Sequence, residues 1–328
     1  SATWKFNERW KLDAEASANT YGVGTLFQKE FSTDADLSPY RLWLRLSSDR
    51  FFLRAGLQKI NFGSASILRP LMWFDQLDPR DPLQLTNGVY GVLARYYFLN
   101  NANIWLWGLY GNENTRGWDY LGTEKKTPEF GGRIQLPAGP GEVALSYHHR
   151  KIGSDSIYNS ALMGYMQYPG FEQDRIAIDG KWDLGIGIWF ENSLKYNNDF
   201  IIPGQKWVGQ FTGGADYTFG IGNGLNLKIE HLVWLTGDDL LENFEELNYT
   251  AVSANYPFGL FDQVSTIIYY NWKDESWYRF LNWSKQYDNF IFYLMAYWNP
   301  ETFDIYRNSD QVSLFSGKGF QFMVVFNH

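Results

Sequence analysis

Residues 40–46 read Tyr40-Arg-Leu-Trp-Leu-Arg-Leu46. In an extended chain successive side chains point to opposite faces, so Leu42, Leu44 and Leu46 share one face and Arg41, Trp43 and Arg45 the other. After a Ser-Ser-Asp turn the pattern resumes, with Phe51, Leu53, Ala55 and Leu57 on one side and Arg54 and Gln58 on the other. This is the signature of a strand with one apolar and one polar side. The same reading recurs over 8–18, 39–47, 50–60, 87–99, 102–112, 129–136, 141–151, 171–182, 184–196, 206–219, 223–236, 246–256, 260–272, 276–284, 289–298 and 317–327. Each segment is near the length at which a tilted strand crosses a bilayer.

The connections give an independent test. They alternate: 19–38 is long, 48–49 short, 61–86 long, 100–101 short, 113–127 long, 137–140 short, 152–170 long and 183 short. Later ones mostly keep the parity, although 273–275 is short where a long one is due. All 11 prolines lie in connections or at segment ends, where no ladder hydrogen bond is lost. Long loops at one end and tight turns at the other are the habit of outer-membrane barrels. The expected fold is therefore all-β, a single domain over 1–328. It is a transmembrane antiparallel up-and-down barrel of about 16 strands, with 14 or 18 as the alternatives, short periplasmic turns and long extracellular loops.

Composition fits. The 328 residues have a mean hydropathy of -0.36, and the longest apolar run, Phe290 to Trp298, is far short of the roughly 18 residues a spanning helix needs. Yet 19% of the chain is aromatic. Rings at segment ends, among them Trp105, Trp107, Tyr110, Trp182, Trp234, Tyr270, Trp272, Tyr297 and Trp298, suit the two membrane boundaries. Cysteine is absent, which excludes disulfides and thiolate chemistry. The net charge of -8 comes with no basic stripe, so nucleic acid is not an expected partner. The first residues form no export signal, which is expected to have been removed or never present.

The whole chain resembles the porin-type outer-membrane barrels of bacteria with two membranes. The last segment, Phe320-Gln-Phe-Met-Val-Val-Phe326, is similar to the alternating aromatic terminal strand of that superfamily, with Asn327 and His328 following it. The run from Arg54-Ala-Gly-Leu-Gln58 through Asn61-Phe-Gly63 to Asp78-Pro-Arg-Asp-Pro82 resembles strand-loop segments of porin-like proteins. The resemblance implies a loop, 61–86, folded into the lumen, and a homotrimer as the assembly.

The function expected from these residues is a channel for passive diffusion of small hydrophilic solutes. The lumen would carry a basic wall, Arg41, Arg45, Arg54, Arg95, Arg133, Arg150 and Arg175, facing the acidic residues Asp75, Asp78 and Asp81 of the inserted loop. Trp43, Tyr97 and Trp189 also face inward and would suit a sugar track. The long connections hold 20 acidic and 8 basic residues, and the rest of the chain 16 and 20. An acidic vestibule over a mildly basic lumen favours anions weakly, in a manner that depends on salt.

No enzymatic role is expected. Ser146 and His148 share a face but sit about 7 Å apart, and no nucleophile elbow or His-Glu-x-x-His stands in the chain. No cofactor is expected. Asp238, Asp239, Glu242 and Glu245 form an acidic group without the spacing of a calcium loop, a weak metal candidate. The alternative to a channel is a plugged barrel that holds a partner protein, with a barrel hydrolase or sugar-selective channel behind it. Large residues on both faces of 276–298 motivate the plugged reading, and that stretch is the expected contact for a partner. Bilayer lipid and lipopolysaccharide complete the expected surroundings.

Overall fold

The computed structural model describes residues 2–27, 30–159, 164–198, 204–239, 244–301 and 315–326. The strands among them are β1 (Ala2–Lys5), β2 (Lys11–Phe27), β3 (Glu30–Ser47), β4 (Phe51–Gln58), β5 (Val89–Tyr97), β6 (Asn103–Leu109), β7 (Glu129–Ala138), β8 (Gly141–Ile152), β9 (Asp155–Asn159) and β10 (Gly164–Tyr168). There follow β11 (Phe171–Asp183), β12 (Gly187–Asn197), β13 (Trp207–Phe219), β14 (Leu225–Gly237), β15 (Glu245–Pro257), β16 (Asp262–Asn271), β17 (Ser276–Tyr287), β18 (Phe290–Trp298) and β19 (Lys318–Phe326). No helix of the described residues is long and apolar enough to cross a membrane.

Each predicted segment carries one of these strands, and β1, β9 and β10 lie outside the predicted set. All but β9 and β10 join one 17-stranded sheet. Neighbours in sequence pair antiparallel throughout, and β8 pairs directly with β11, from Ile152 opposite Phe171 to Gly141 opposite Trp182. β9 and β10 form a separate hairpin inside the connection that skips between them. The long loop expected at 19–38 is instead a continuation of its flanking strands. β2 and β3 stay in register as far as Phe27 opposite Glu30, with one irregularity at Ser17 and Ala18.

The sheet is inside-out relative to a soluble protein. Along β11, Arg175, Ala177 and Asp179 are buried whereas Ile176 and Ile178 are exposed. β8 alternates in the same way, with Ser146, His148 and Arg150 buried between exposed Leu145 and Tyr147. Leu42, Leu44, Leu106, Ile229, Val252 and Leu294 extend the exposed apolar face round the sheet. Such a face is stable only against hydrocarbon, and the polar alternates need an enclosed wet or paired interior.

The interior is occupied by the connection between β4 and β5, residues 59–88. Ile60, Phe62, Leu71, Trp73 and Phe74 pack against Val89 and Leu93 of β5, Trp105, Trp107 and Leu109 of β6, and Ala177 of β11. On the other side Ile67 and Leu68 pack against Leu232 of β14, Tyr249 and Ala251 of β15, Ile267 and Tyr269 of β16 and Tyr278 of β17. The apolar run in this loop thus spans the space between two walls. Trp105 and Trp107, expected at the membrane edge, are in fact 8% and 4% exposed and belong to this interior cluster.

Candidate functional site

The inserted loop is held by two carboxylates from the far wall. Glu191 of β12 accepts from the backbone N–H of Ala65 at 2.7 Å and of Leu71 at 3.2 Å. Glu230 of β14 accepts from the backbone N–H groups of Ser66 at 2.7 Å, Ile67 at 2.9 Å and Leu68 at 2.6 Å. Both side chains are fully buried. A loop buried in apolar surroundings must satisfy its own amides, and a carboxylate with several lone pairs can take three at once. Thr212 donates its hydroxyl to the Leu68 carbonyl at 2.7 Å, Lys228 donates to Ser66 Oγ at 2.8 Å, and Trp73 Nε1 donates to Ser193 Oγ at 3.2 Å. Gly63 sits at φ +100°, and a Cβ there would stand 2.3 Å from Glu191 Oε1. Glu191 shares the inward parity of Trp189, so it was legible as interior; its role as a loop clamp was not.

A second connection, residues 110–128, seals the first from above. Gly117, at φ +54°, lies so close to the loop that a Cβ would meet the Met72 carbonyl oxygen at 1.9 Å. Trp118 Nε1 donates to the Arg69 carbonyl. Asp119 enters a socket of three cations, reaching Arg150 at 3.2 Å, Arg175 at 2.8 Å and Lys195 at 3.0 Å. Burial opposes charge on Asp119, but the three cations outweigh it and hold the carboxyl well below the usual carboxylate range.

The arginines expected as a wall do turn inward, and most already have partners. Arg133 forms a two-point pair with Asp179 at 2.5 and 2.8 Å, and Arg45 reaches Asp13 at 2.8 Å. Arg150 and Arg175 share Asp119. Arg41 donates to the Thr86 carbonyl at 3.0 Å, and Arg54 to Gln58 at 2.6 Å and the Lys59 carbonyl at 2.7 Å. Arg95 lies 3.2 Å over the Trp105 ring. The acidic residues of the loop face their own neighbours. Asp75 meets Arg69 at 3.4 Å, Asp78 meets Arg80 at 2.6 Å, and Asp81 accepts from the amides of Leu83 at 2.9 Å and Leu85 at 3.2 Å. No ion pair joins the two sets among the described residues.

Of the inward aromatics, Trp189 is buried, Trp43 lies under Arg45 and Arg54, and Tyr97 is exposed at a strand end. Asp238 accepts from the Gly204 amide at 2.7 Å. Glu242 lies outside the described residues, so the acidic group with Asp239 and Glu245 is not assembled here. The double-faced stretch 276–298 divides cleanly. Trp277, Leu281, Trp283 and Leu294 face out, while Tyr278 joins the loop cluster and Phe280 and Met295 pack with Phe315.

Beside the loop lies an open cavity of about 830 Å³, lined by 74–76, 86–90, 111–116, 120, 122–123, 125, 153–154 and 168. Its lining is rich in hydroxyl and amide groups, with Asp75, Glu113, Arg116 and Lys125 among them. Beneath it, Arg116 pairs with Glu129 at 2.5 Å and donates to Thr123 at 2.9 Å. Glu129 in turn lies 3.2 Å from His148 Nε2, and Trp107 Nε1 donates to His148 Nδ1 at 3.1 Å. With Nδ1 accepting, Nε2 carries the proton toward Glu129.

No protein-family profile and no curated protein matches the sequence. Among solved structures, a loop-deleted form of OmpT, an outer-membrane protein of Vibrio cholerae, aligns with a TM-score of 0.50 and 11% identity over 82% of each chain. OmpT of the same organism in its outer-membrane-expressed form gives 0.46 at 11% identity, over 85% of this chain and 89% of that one. Its in-vitro-folded trimer form gives 0.48 at 10%, over 85% and 90%. The fold is that of outer-membrane β-barrels.

Two expectations are corrected by these findings. A passive diffusion channel filtered between an arginine wall and an acidic loop does not stand. Here the loop crosses the interior, Asp75 and Asp78 are paired with Arg69 and Arg80 of the loop itself, and Asp81 is held by backbone amides, so none of the three faces the arginines of the wall. The exclusion of an enzymatic role falls as well. It rested on the about 7 Å between Ser146 and His148 and on missing catalytic motifs, and the folded chain brings a different group, Glu129 of β7, to His148 of β8 within hydrogen-bond distance.

Proposed function

We propose that the chain is a single-domain barrel of porin-type architecture whose interior is stoppered, and that it serves as a rigid outer-membrane scaffold holding a partner. In this reading the long strands close on themselves, short turns face the periplasm and long connections face outward. The observation that carries it is the clamp of Glu191 and Glu230 on five backbone amides of one inserted loop. A loop fixed at both walls suits a stopper better than a lining that must leave a path. The open cavity beside it is the place where an outer partner gains a foothold, and its mixed polar lining suits a hydrophilic one. Bilayer lipid and lipopolysaccharide surround the outward face, where Trp277, Trp283 and Leu294 also offer a contact for further copies.

Planar-bilayer recording tests this reading. Wild-type protein should give no steady conductance, and Glu191→Ala combined with Glu230→Ala should give one. A steady conductance from wild type overturns the stopper. Incubation with peptide and ester substrates forms the second arm. Turnover that disappears in His148→Ala replaces the scaffold with an enzyme.

A further inference from the structure

The short turns are chemically unequal. Between β11 and β12 the tip carries Leu184 and Ile186, 63% and 49% exposed; between β13 and β14 it carries Ile221 at 58%. Between β15 and β16 it carries Phe258, Leu260 and Phe261 at 61%, 93% and 60%. These three turns belong to adjacent hairpins, so the exposed residues form one arc. Charged neighbours in the arc are already engaged: Asp183 accepts from the Gly185 amide at 3.1 Å, and Asp262 meets Lys285 at 3.3 Å. The other tips have polar or small residues at their apex: Asn7-Glu8-Arg9 after β1, with Phe6 64% exposed beside it, Ser48-Asp49-Arg50 after β3, Asn100-Asn101 after β5, with Leu99 81% exposed beside it, Ala138-Gly139-Pro140 after β7, and Asp288-Asn289 after β17. Eight strands, β4 to β8 and β11 to β13, separate the charged β3–β4 turn from the middle of the apolar arc.

The arc continues an aromatic band. Tyr217 and Phe219 meet edge-on with centroids 4.8 Å apart, and Tyr256 and Phe258 repeat the arrangement at 5.0 Å. Both pairs lie where the strand enters its turn. Rings of this kind rest at the boundary between hydrocarbon and headgroup, and here the apolar surface does not stop at that boundary.

We propose that these turns insert into the lipid leaflet, so that the barrel sits tilted with its β11–β16 side dipped and its β1–β4 side raised. Apolar surface left in water is unfavourable, and tilting removes it without any change in fold. Lipid is the favoured occupant because the arc is continuous with the lipid-facing strand surface.

The chain has no cysteine, so single-cysteine variants label cleanly. Leu184→Cys, Ile221→Cys, Leu260→Cys and Asp49→Cys would each carry a bimane fluorophore in phosphatidylcholine vesicles. At 184, 221 and 260 spin-labelled lipid should remove most of the emission while iodide leaves it intact, and at 49 the two quenchers should exchange roles. Iodide access at all four sites overturns the proposal. Protection from both quenchers that fades on dilution assigns the arc to a second copy and overturns it equally. The four sites are on turn tips, so loss of fold is not a competing explanation. Failure here leaves the stopper reading intact, because that reading is decided by conductance.

Discussion

Gly63 shows how a single backbone position can decide an interior. Its φ of +100° and its approach to Glu191 leave no room for a side chain. Gly63→Ala should therefore destabilise the protein by about 1–3 kcal/mol through strain and loss of the clamp, read as a lowered thermal midpoint in detergent. Asp119 supplies a prediction in pH. Its carboxyl is depressed in the folded chain, so its stabilising contribution is complete above the unfolded value of about 3.9 and is lost as pH falls below it. The stability gap between wild type and Asp119→Asn should be widest near neutral pH and narrow below about pH 4. A gap that stays constant from pH 7 to pH 3 would remove Asp119 from its cation socket.

Among the elements, the stretch from β17 to β19 has the clearest division of labour. Phe280, Met295 and Phe315 form one buried cluster, with Tyr293, Tyr297 and Met323 around it and Arg80 4.8 Å over the Phe315 ring. Phe315→Ala should cost about 3–5 kcal/mol, the usual price of a large aromatic lost from a packed site, whereas Leu294→Ala on the lipid side should cost much less; denaturant titration compares them. Strand positions were legible because alternation is a local property, visible in seven residues such as 40–46. The inward direction of Arg133, Arg150 and Arg175 followed from the same alternation. Their partners did not, because Asp119 lies in a connection and Asp179 on a neighbouring strand, and period-two reading carries no information about which carboxylate arrives. The same limit hid the pairing of 19–38. Few apolar alternates mark that stretch as strand, and its register is set by its partner across the hairpin.

For the whole molecule, the interior behaves as two walls bridged by a loop, and protease access reports on that bridge. Arg69 and Arg80 are each 5% exposed, whereas the Lys125 side chain is 57% exposed. Trypsin acting on folded protein in vesicles should cut at 125–126 and spare Arg80, with mass spectrometry identifying the fragments; Arg69 precedes Pro70 and is not a trypsin site. Early cleavage after Arg80 in wild type would show that the bridge opens readily. The fold class was accessible from sequence since length, turn parity and hydropathy all act at this scale. The function was not, because an inserted loop leaves a path or blocks it according to contacts made by residues such as Glu230, far away in the chain.

The clamp also orders events in time. Ala65 and Ser66 bind carboxylates 126 and 164 residues further along, so the loop has no anchor until β12 and β14 exist. Until then Ile67-Leu-Arg-Pro-Leu-Met-Trp-Phe74 is an apolar segment without its interior cover. Contacts between residues so distant in sequence form late, after the entropy of closing long loops has been met. Capture of the segment by the two glutamates is therefore among the last steps of folding.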